Sequence, residues 1–285
     1  MLLEPFVSLQ PVMGMACGLF LLLSSWEFNP RELIGDFGLS IKLWIGAFFL
    51  PFFTGLALTF ACPHLFMGPP EIKLTTTALV LGIAMAVSAV PVVLKIMQEL
   101  GWSGSVRARR VVLTAILCDL MAWLLFLPLL SHNGQSSWLS SHLPLLMFFV
   151  GLLCAFIWPR LTKPNVFLRA INRWCIAPVF FIGIGQSLNY FHGFNFEQVW
   201  IVFVTATASK TLGVWLAAKH AQIVSTERNA ISLALNARGA MELVMANSAL
   251  QAGLINHELF LSLLIMAIGT SLIIKPMFRL KLIRV

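Results

Sequence analysis

Ionisable residues stand inside three strongly apolar stretches of the sequence, and their types can bind a proton or a cation. The stretch LTAILCDLMAW (113–123) contains Asp119, a later stretch contains Lys210, and a third contains Arg238 and Glu242. Carboxylates bind protons and hard cations, and a lysine or arginine nearby can balance their charge. These four residues are therefore the first candidates for an ion-binding site.

The composition places these residues in a membrane. Hydrophobic residues make up 59% of the 285 residues and charged residues only 11%, whereas about 25% of a soluble domain is charged. A soluble protein of this length could not cover so much apolar surface with a wettable exterior. The sequence predicts an all-α, multi-pass integral membrane protein.

A charge at the centre of a membrane helix costs on the order of 2.5–3.5 kcal/mol, so it is normally paired or faces a wet cavity. One interpretation is that the buried charges form two structural ion pairs. The other is that they line an ion pathway, since intramembrane carboxylates are natural ligands for a proton or a cation.

Metal-binding and catalytic patterns are absent from the sequence. The five cysteines are scattered without a CxxC spacing, and the six histidines form no HxxxH pair. Neither a disulfide framework nor a zinc site is expected from such spacing. An intramembrane enzyme would need a nucleophile–base pair or a ligand cluster, and neither is found, so we expect no enzyme activity, bound metal or cofactor.

The apolar segments predict about nine membrane-spanning helices, since about 20 apolar residues are needed to cross the hydrocarbon. Lys and Arg are concentrated in every second connection, and the intervening connections contain only Lys73. Basic residues in short loops stay cytoplasmic, which predicts an external N-terminus and a cytoplasmic C-terminus. The same distribution explains the net charge of +8 through contact with anionic lipids, without a nucleic-acid partner. The predicted spans are 8–26, 38–62, 74–97, 109–130, 141–158, 174–190, 197–218, 228–251 and 257–276.

Two of these spans are expected to be interrupted. Pro91 disfavours helical geometry in the third, and Asn236 with Gly239 loosens the eighth. These spans are the middle helices of two triplets, helices two to four and seven to nine, which would enter the membrane from opposite sides. Paired interrupted helices in inverted repeats are typical of the central site of a secondary transporter.

The sequence resembles the monovalent cation:proton antiporter-2 family, which has the Kef/CHX-like sodium/hydrogen exchanger fold. The segments SAVPVVLKIMQELG, AILCDLMAWLL and ASKTLGVWLAAK are similar to its proline helix, its aspartate helix and its Gly-Lys-x-x-Gly helix. CAFIWP followed by APVFFIGIG, and NARGAMELVMANSALQAGLI, match two further motifs in the family's order. The resemblance covers nearly the whole chain, from about Gly14 to Arg279.

The resemblance implies roles for the buried polar residues. Asp119 would be the carboxylate that binds the proton and the cation, with Ser88 and Cys118 beside it. Lys210 would stabilise this centre as a supporting charge. In the same way, Pro91 would belong to the first broken helix, and Arg238, Gly239 and Glu242 to the second.

The resemblance also implies an architecture of two inverted three-helix repeats with crossed broken helices and a reduced scaffold. Four segments follow from it: a scaffold helix (1–37), core repeat 1 (38–130), reduced scaffold and interface helices (131–196) and core repeat 2 (197–285). Compared with the family pattern, about two helices are missing before residue 1, and two more between the fourth and fifth spans. A homodimer would form through the reduced scaffold.

The predicted function is exchange of a monovalent cation, Na⁺ or K⁺, for protons by alternating access. Cys118 stands where the family has Asp or Asn, and Ala89 where it has Ser. These departures leave an alternative, a degenerate antiporter-like membrane subunit or regulator that does not transport. With Asp119 as the only carboxylate on its helix, the simplest cycle is electroneutral. A bacterial inner membrane is the expected location.

Overall fold

The computed structural model describes residues 37–67, 72–102, 104–131 and 194–279, together with individual residues between 15 and 23 and between 146 and 182. The predicted spans 8–26, 141–158 and 174–190 therefore lie largely outside the described residues. So do most of the predicted scaffold segments 1–37 and 131–196.

The chain divides into two compact units. One comprises Met1–Glu32 and Gly134–Phe191, and the other comprises Leu33–Asn133 and His192–Val285. In the first unit the description is limited to scattered helical residues and one π-helical turn, Asn172–Ile176. The second unit contains all of the charged candidate residues.

The regular structure in the described part of the second unit consists of helices, with no strand, which confirms the predicted helical class. Its helices are, in chain order, α1 (Phe37–Ala61), α2 (Pro63–Phe66), α3 (Leu74–Ala86), α4 (Val90–Glu99), α5 (Val106–Ser131), α6 (Phe196–His220), α7 (Ser225–Leu235), α8 (Ala240–Gln251) and α9 (His257–Arg279).

Three of these helices are long and apolar enough to cross a membrane alone: α1, α5 over Val106–Leu130, and α6. Shorter apolar stretches lie in α3 and in α9 over His257–Ile273. Together with the composition, these helices identify an integral membrane protein, because an α-helix satisfies its own backbone polar groups inside lipid.

Side-chain caps mark where two of the long helices begin. The amide oxygen of Asn195 accepts a hydrogen bond from Gln198 N at 3.2 Å, at the start of α6. The amide oxygen of Asn256 accepts one from Leu259 N at 2.9 Å, at the start of α9. These caps satisfy backbone donors that lack partners in the first turn of a helix.

Glycines let the long helices pack closely. α1 packs against α6 and α3. A Cβ at Gly46 would lie 2.2 Å from the carbonyl oxygen of Gly213, and one at Gly55 would lie 2.6 Å from Gly82 Cα. Small residues at such crossings are typical of membrane helices, whose association depends on close backbone packing.

Candidate functional site

The first helix interruption separates α3 from α4. Val87, Ser88 and Ala89 are non-helical and buried. Val87 and Ala89 have extended backbone conformations with ψ angles of 147° and 100°. The sequence placed the break at Pro91, but the structure places Pro91 in the first turn of α4, just after the break. A proline is tolerated there because the first amides of a helix have no intrahelical acceptor.

The second interruption, at residues 236–239, separates α7 from α8. One hydrogen bond joins it to the first interruption, and a second joins the first interruption to the last residue of α7. Ala89 N donates to Ala237 O at 2.9 Å, and Ser88 Oγ donates to Leu235 O at 3.0 Å. A Cβ at Gly239 would lie 2.8 Å from Ala89 Cβ. Glycine at position 239 therefore permits the two interruptions to approach this closely.

Asp119 lies in α5 with 1% of its surface exposed. Its Oδ1 accepts a hydrogen bond from Ser88 N in the first interruption, at 3.3 Å. Its Oδ2 is buried and has no hydrogen-bond partner. The carboxylate is thus held by one oxygen, and the other remains available to a proton or a cation.

Lys210 lies in α6 and is fully buried. Its ammonium donates to the carbonyl oxygens of Ala86, at 2.5 Å, and of Val87. These residues directly precede Ser88, to which Asp119 is hydrogen-bonded. Lys210 and Asp119 therefore bind backbone groups of adjacent residues, at the end of α3 and in the first interruption.

Arg238 is fully buried in the second interruption. Its Nη1 donates to Ala84 O at 2.6 Å and its Nη2 to Met85 O at 2.8 Å. Nη1 also lies 3.3 Å from Oε1 of Glu242, forming an ion pair that is completely shielded from solvent. Oε2 of Glu242 has no hydrogen-bond partner.

Lys210 and Arg238 together bind four successive carbonyls, 84 to 87, at the end of α3. The last carbonyls of a helix have no intrahelical donor, and their partial negative charge favours a cation nearby. All four of these residues are buried, so solvent water is not available to satisfy their carbonyls. Two positive side chains, one from α6 and one from the second interruption, therefore stabilise the end of α3.

Several backbone carbonyls around the first interruption have donors. The four carbonyls before Ser88 accept hydrogen bonds from Lys210 and Arg238, and Ala89 O accepts one from Val93 N.

The remaining sequence candidates lie in or next to this region. Cys118 is fully buried and precedes Asp119 in α5. Asn236 is 1% exposed, and its Oδ1 has no hydrogen-bond partner. Sequence reasoning treated Asn236 only as a helix-loosening residue, although a polar amide at membrane depth is itself a signal of function.

No group of three or more His, Cys, Asp or Glu side chains is close enough to hold a metal ion within the described part of the chain. The chemistry that this region offers is different. A buried carboxylate that is hydrogen-bonded to the first helix interruption through one oxygen can bind a single positive charge reversibly through the other.

Comparison with known proteins identifies the family. The sequence model of the family described as "Sodium/hydrogen exchanger, transmembrane" matches residues 4–163 and 125–280, which together cover nearly the whole chain. The chain belongs to the sodium/hydrogen exchanger family. The resemblance to monovalent cation:proton antiporters is thereby confirmed.

Two known antiporters show how far along the chain the similarity extends. The Na(+)/H(+) antiporter NhaS4 of Synechocystis sp. (strain ATCC 27184 / PCC 6803 / Kazusa) is 23% identical over 337 residues, covering 96% of this chain and 82% of the relative. The Na(+)/H(+)-K(+) antiporter GerN of Bacillus cereus is 29% identical over 106 residues, covering 36% of this chain and 27% of the relative.

The length of the NhaS4 alignment differs from that of this chain. At 337 positions it is longer than the 285-residue chain. NhaS4 must therefore have residues inside the aligned range for which this chain has no counterpart. The chain is a shortened member of the family, with at least part of the shortening internal.

Proposed function

We propose that this protein exchanges Na⁺ or K⁺ for protons across the membrane, and that Asp119 binds both in turn. The observation that carries this proposal is the state of the Asp119 carboxylate. It is buried in the second unit, bonded through Oδ1 to an interrupted helix, and unpartnered at Oδ2. Similarity to an Na(+)/H(+) antiporter over 96% of the chain also supports the proposed exchange.

The mechanism follows from charge. A single carboxylate binds a proton or a dehydrated cation, but not both at once. We expect the helices around the interruptions to rearrange only when Asp119 is neutralised by a proton or a cation. Each rearrangement then carries either a proton or a cation across the membrane, so exchange is obligatory. This is alternating access governed by differential affinity. Ser88 positions the carboxylate, and Cys118 adds no second charge beside it.

Lys210 has two roles in the proposed mechanism. Its ammonium binds the end of α3, so it keeps the interruption in place. Its positive charge stabilises the ionised form of Asp119 when no cation is bound. Arg238 binds the two preceding carbonyls and is itself paired with Glu242, which supports a structural role for that pair.

The proposed architecture has nine membrane spans, an external N-terminus and a cytoplasmic C-terminus in a bacterial inner membrane. Repeat 1 (38–130) would contain α1 to α5, and repeat 2 (197–285) would contain α6 to α9, as inverted repeats whose broken helices cross. In support, each set has a long helix, an interrupted helix and another long helix in the same order. Segments 1–37 and 131–196 would form the reduced scaffold, contact lipids and mediate a homodimer.

The experiment that tests the function is proton movement in everted membrane vesicles on addition of NaCl or KCl. We expect the wild type to release accumulated protons and the Asp119→Asn variant to release none. Glu99→Gln is the matched control, because Glu99 is an exposed carboxylate at the end of α4. Loss of activity in both variants, or activity retained in Asp119→Asn, contradicts the proposal.

A second candidate is a non-transporting membrane subunit or regulator. Cys118 and Ala89, which differ from the family pattern in the aspartate helix and the first interruption, favour it. It predicts a folded protein in the vesicle membrane with no cation-dependent proton movement from the wild type, so the same experiment separates the two functions.

A further inference from the structure

Three buried side-chain oxygens around the two interruptions lack a hydrogen-bond partner. They are Oδ2 of Asp119, Oδ1 of Asn236 and Oε2 of Glu242. A buried polar group without a partner is costly, and such groups in a folded protein call for an explanation such as an absent ion or a functional role. All three are acceptors, so a positively charged ligand would satisfy them.

Asn236 lies at the contact between the two interruptions. The carbonyls of its neighbours, Leu235 and Ala237, accept hydrogen bonds from Ser88 Oγ and Ala89 N. Asp119 Oδ1 binds the amide of the same Ser88. Asn236 and Asp119 are therefore held by a common two-residue segment of the first interruption.

Glu242 is a weaker candidate for a cation ligand. Its other carboxylate oxygen is 3.3 Å from the Arg238 guanidinium, with both side chains shielded from solvent. That positive charge balances Glu242 and repels a cation. The amide oxygen of Asn236 is neutral and lacks such a partner.

We propose that Asn236 Oδ1 is a direct ligand of the transported cation, bound together with Asp119 Oδ2. Amide and carboxylate oxygens are the ligands that hard cations prefer. This inference rests on the proposed exchange function and gives Asn236 and Asp119 different roles in it. An asparagine amide does not take up a proton near neutral pH, so Asn236 stabilises the cation-bound state and leaves the proton-bound state of Asp119 unchanged.

The proposal predicts a selective effect on the cation half of the cycle. In everted vesicles, Asn236→Ala is expected to raise the NaCl or KCl concentration for half-maximal proton release by about tenfold, the scale of one lost polar contact. The maximal rate at saturating salt is retained. Asn236→Asp, which keeps an oxygen and adds charge, is expected to lower the half-maximal concentration. Asn229→Ala, an exposed asparagine in α7, is the control and is expected to match the wild type.

A second measurement does not depend on transport. Binding of Na⁺ or K⁺ to the folded state raises the melting temperature of the purified protein. We expect this rise in the wild type and Asn229→Ala, a rise only at higher salt in Asn236→Ala, and none in Asp119→Asn. Choline chloride at equal ionic strength corrects for non-specific salt effects.

The outcomes separate the two claims. If the wild type shows neither cation-driven proton release nor a cation-specific rise in melting temperature, the proposed function fails and this inference fails with it. If the wild type responds and Asn236→Ala has the same half-maximal concentration, only the inference is overturned. Should Asn236→Ala not fold, the Asp variant decides, and a half-maximal concentration equal to the wild type overturns the inference.

Discussion

The buried charges of this protein interact with backbone groups as much as with one another. Lys210 donates to two carbonyls at the end of α3, and Arg238 donates to the two before them. Asp119 accepts a hydrogen bond from the amide of Ser88, the residue that follows these carbonyls. An interrupted helix exposes such groups at a depth where lipid cannot satisfy them. The interruption and the charges around it therefore stabilise each other.

Lys210→Met tests this dependence at the residue scale. The substitution preserves most of the side-chain volume but leaves the carbonyls of Ala86 and Val87 buried without donors. Each such loss costs about 1–3 kcal/mol, so we expect a clearly lower melting temperature in detergent. Lys219→Met, at the exposed end of the same helix, is the control. Equal melting temperatures for the two variants would show that Lys210 does not stabilise the interruption.

At the scale of helices, the second unit depends on contacts between backbones. α1 crosses α6 where Gly46 and Gly213 approach each other, and the clash met by an added Cβ is with a carbonyl oxygen and not with a flexible side chain. A backbone atom cannot move aside without shifting its helix. This contact fixes the separation between α1 and the helix that contains Lys210.

The matched pair Gly46→Ala and Gly38→Ala tests that contact. Both glycines lie in α1, but a Cβ at Gly38 meets nothing within 4 Å. Overpacking of a close contact costs about 1–3 kcal/mol, so Gly46→Ala is expected to lower the melting temperature. Gly38→Ala is expected to leave the melting temperature unchanged or raise it slightly, since alanine favours helix. A similar fall in both variants would contradict the close packing of α1 on α6.

For the whole molecule, the alternation of basic connections predicts which side each loop faces. Reporter fusions at Asn133 and Pro164 are expected to indicate opposite sides, with Asn133 external and Pro164 cytoplasmic, because Arg160 and Lys163 adjoin the second site. Reporters whose signal depends on cytoplasmic or external location measure this directly. If both fusions report the same side, the count of nine spans is wrong.

The charge moved per cycle is also a property of the whole molecule. Cys118 supplies no carboxylate beside Asp119, and Glu242 is paired with Arg238. We therefore expect one proton to exchange for one monovalent cation with no net charge. Solid-supported-membrane recordings under a Na⁺ or K⁺ step are expected to show no sustained transport current. A sustained current that is lost in Asp119→Asn would refute electroneutral exchange, and a current gained in Cys118→Asp would support it.

Several properties of this protein follow from the sequence alone. We could predict membrane insertion, the helical class and the positions of the buried charges. Hydrophobicity and charge are properties of individual residues and do not depend on the tertiary structure. The two interruptions were predictable to within a few residues, since Pro91 and Gly239 weaken helices locally. The family could be identified from motifs that are continuous in the chain.

The tertiary structure alone decided which groups these charges contact. Lys210 binds a carbonyl 124 positions away, and Arg238 binds one 154 positions away. The pairing depends on which helix faces meet, and the apolar spans carry no periodic pattern that specifies this. For the same reason the sequence did not single out the free oxygen of Asn236 or the contact between Gly46 and Gly213. Both exist only because distant helices pack against each other at those points.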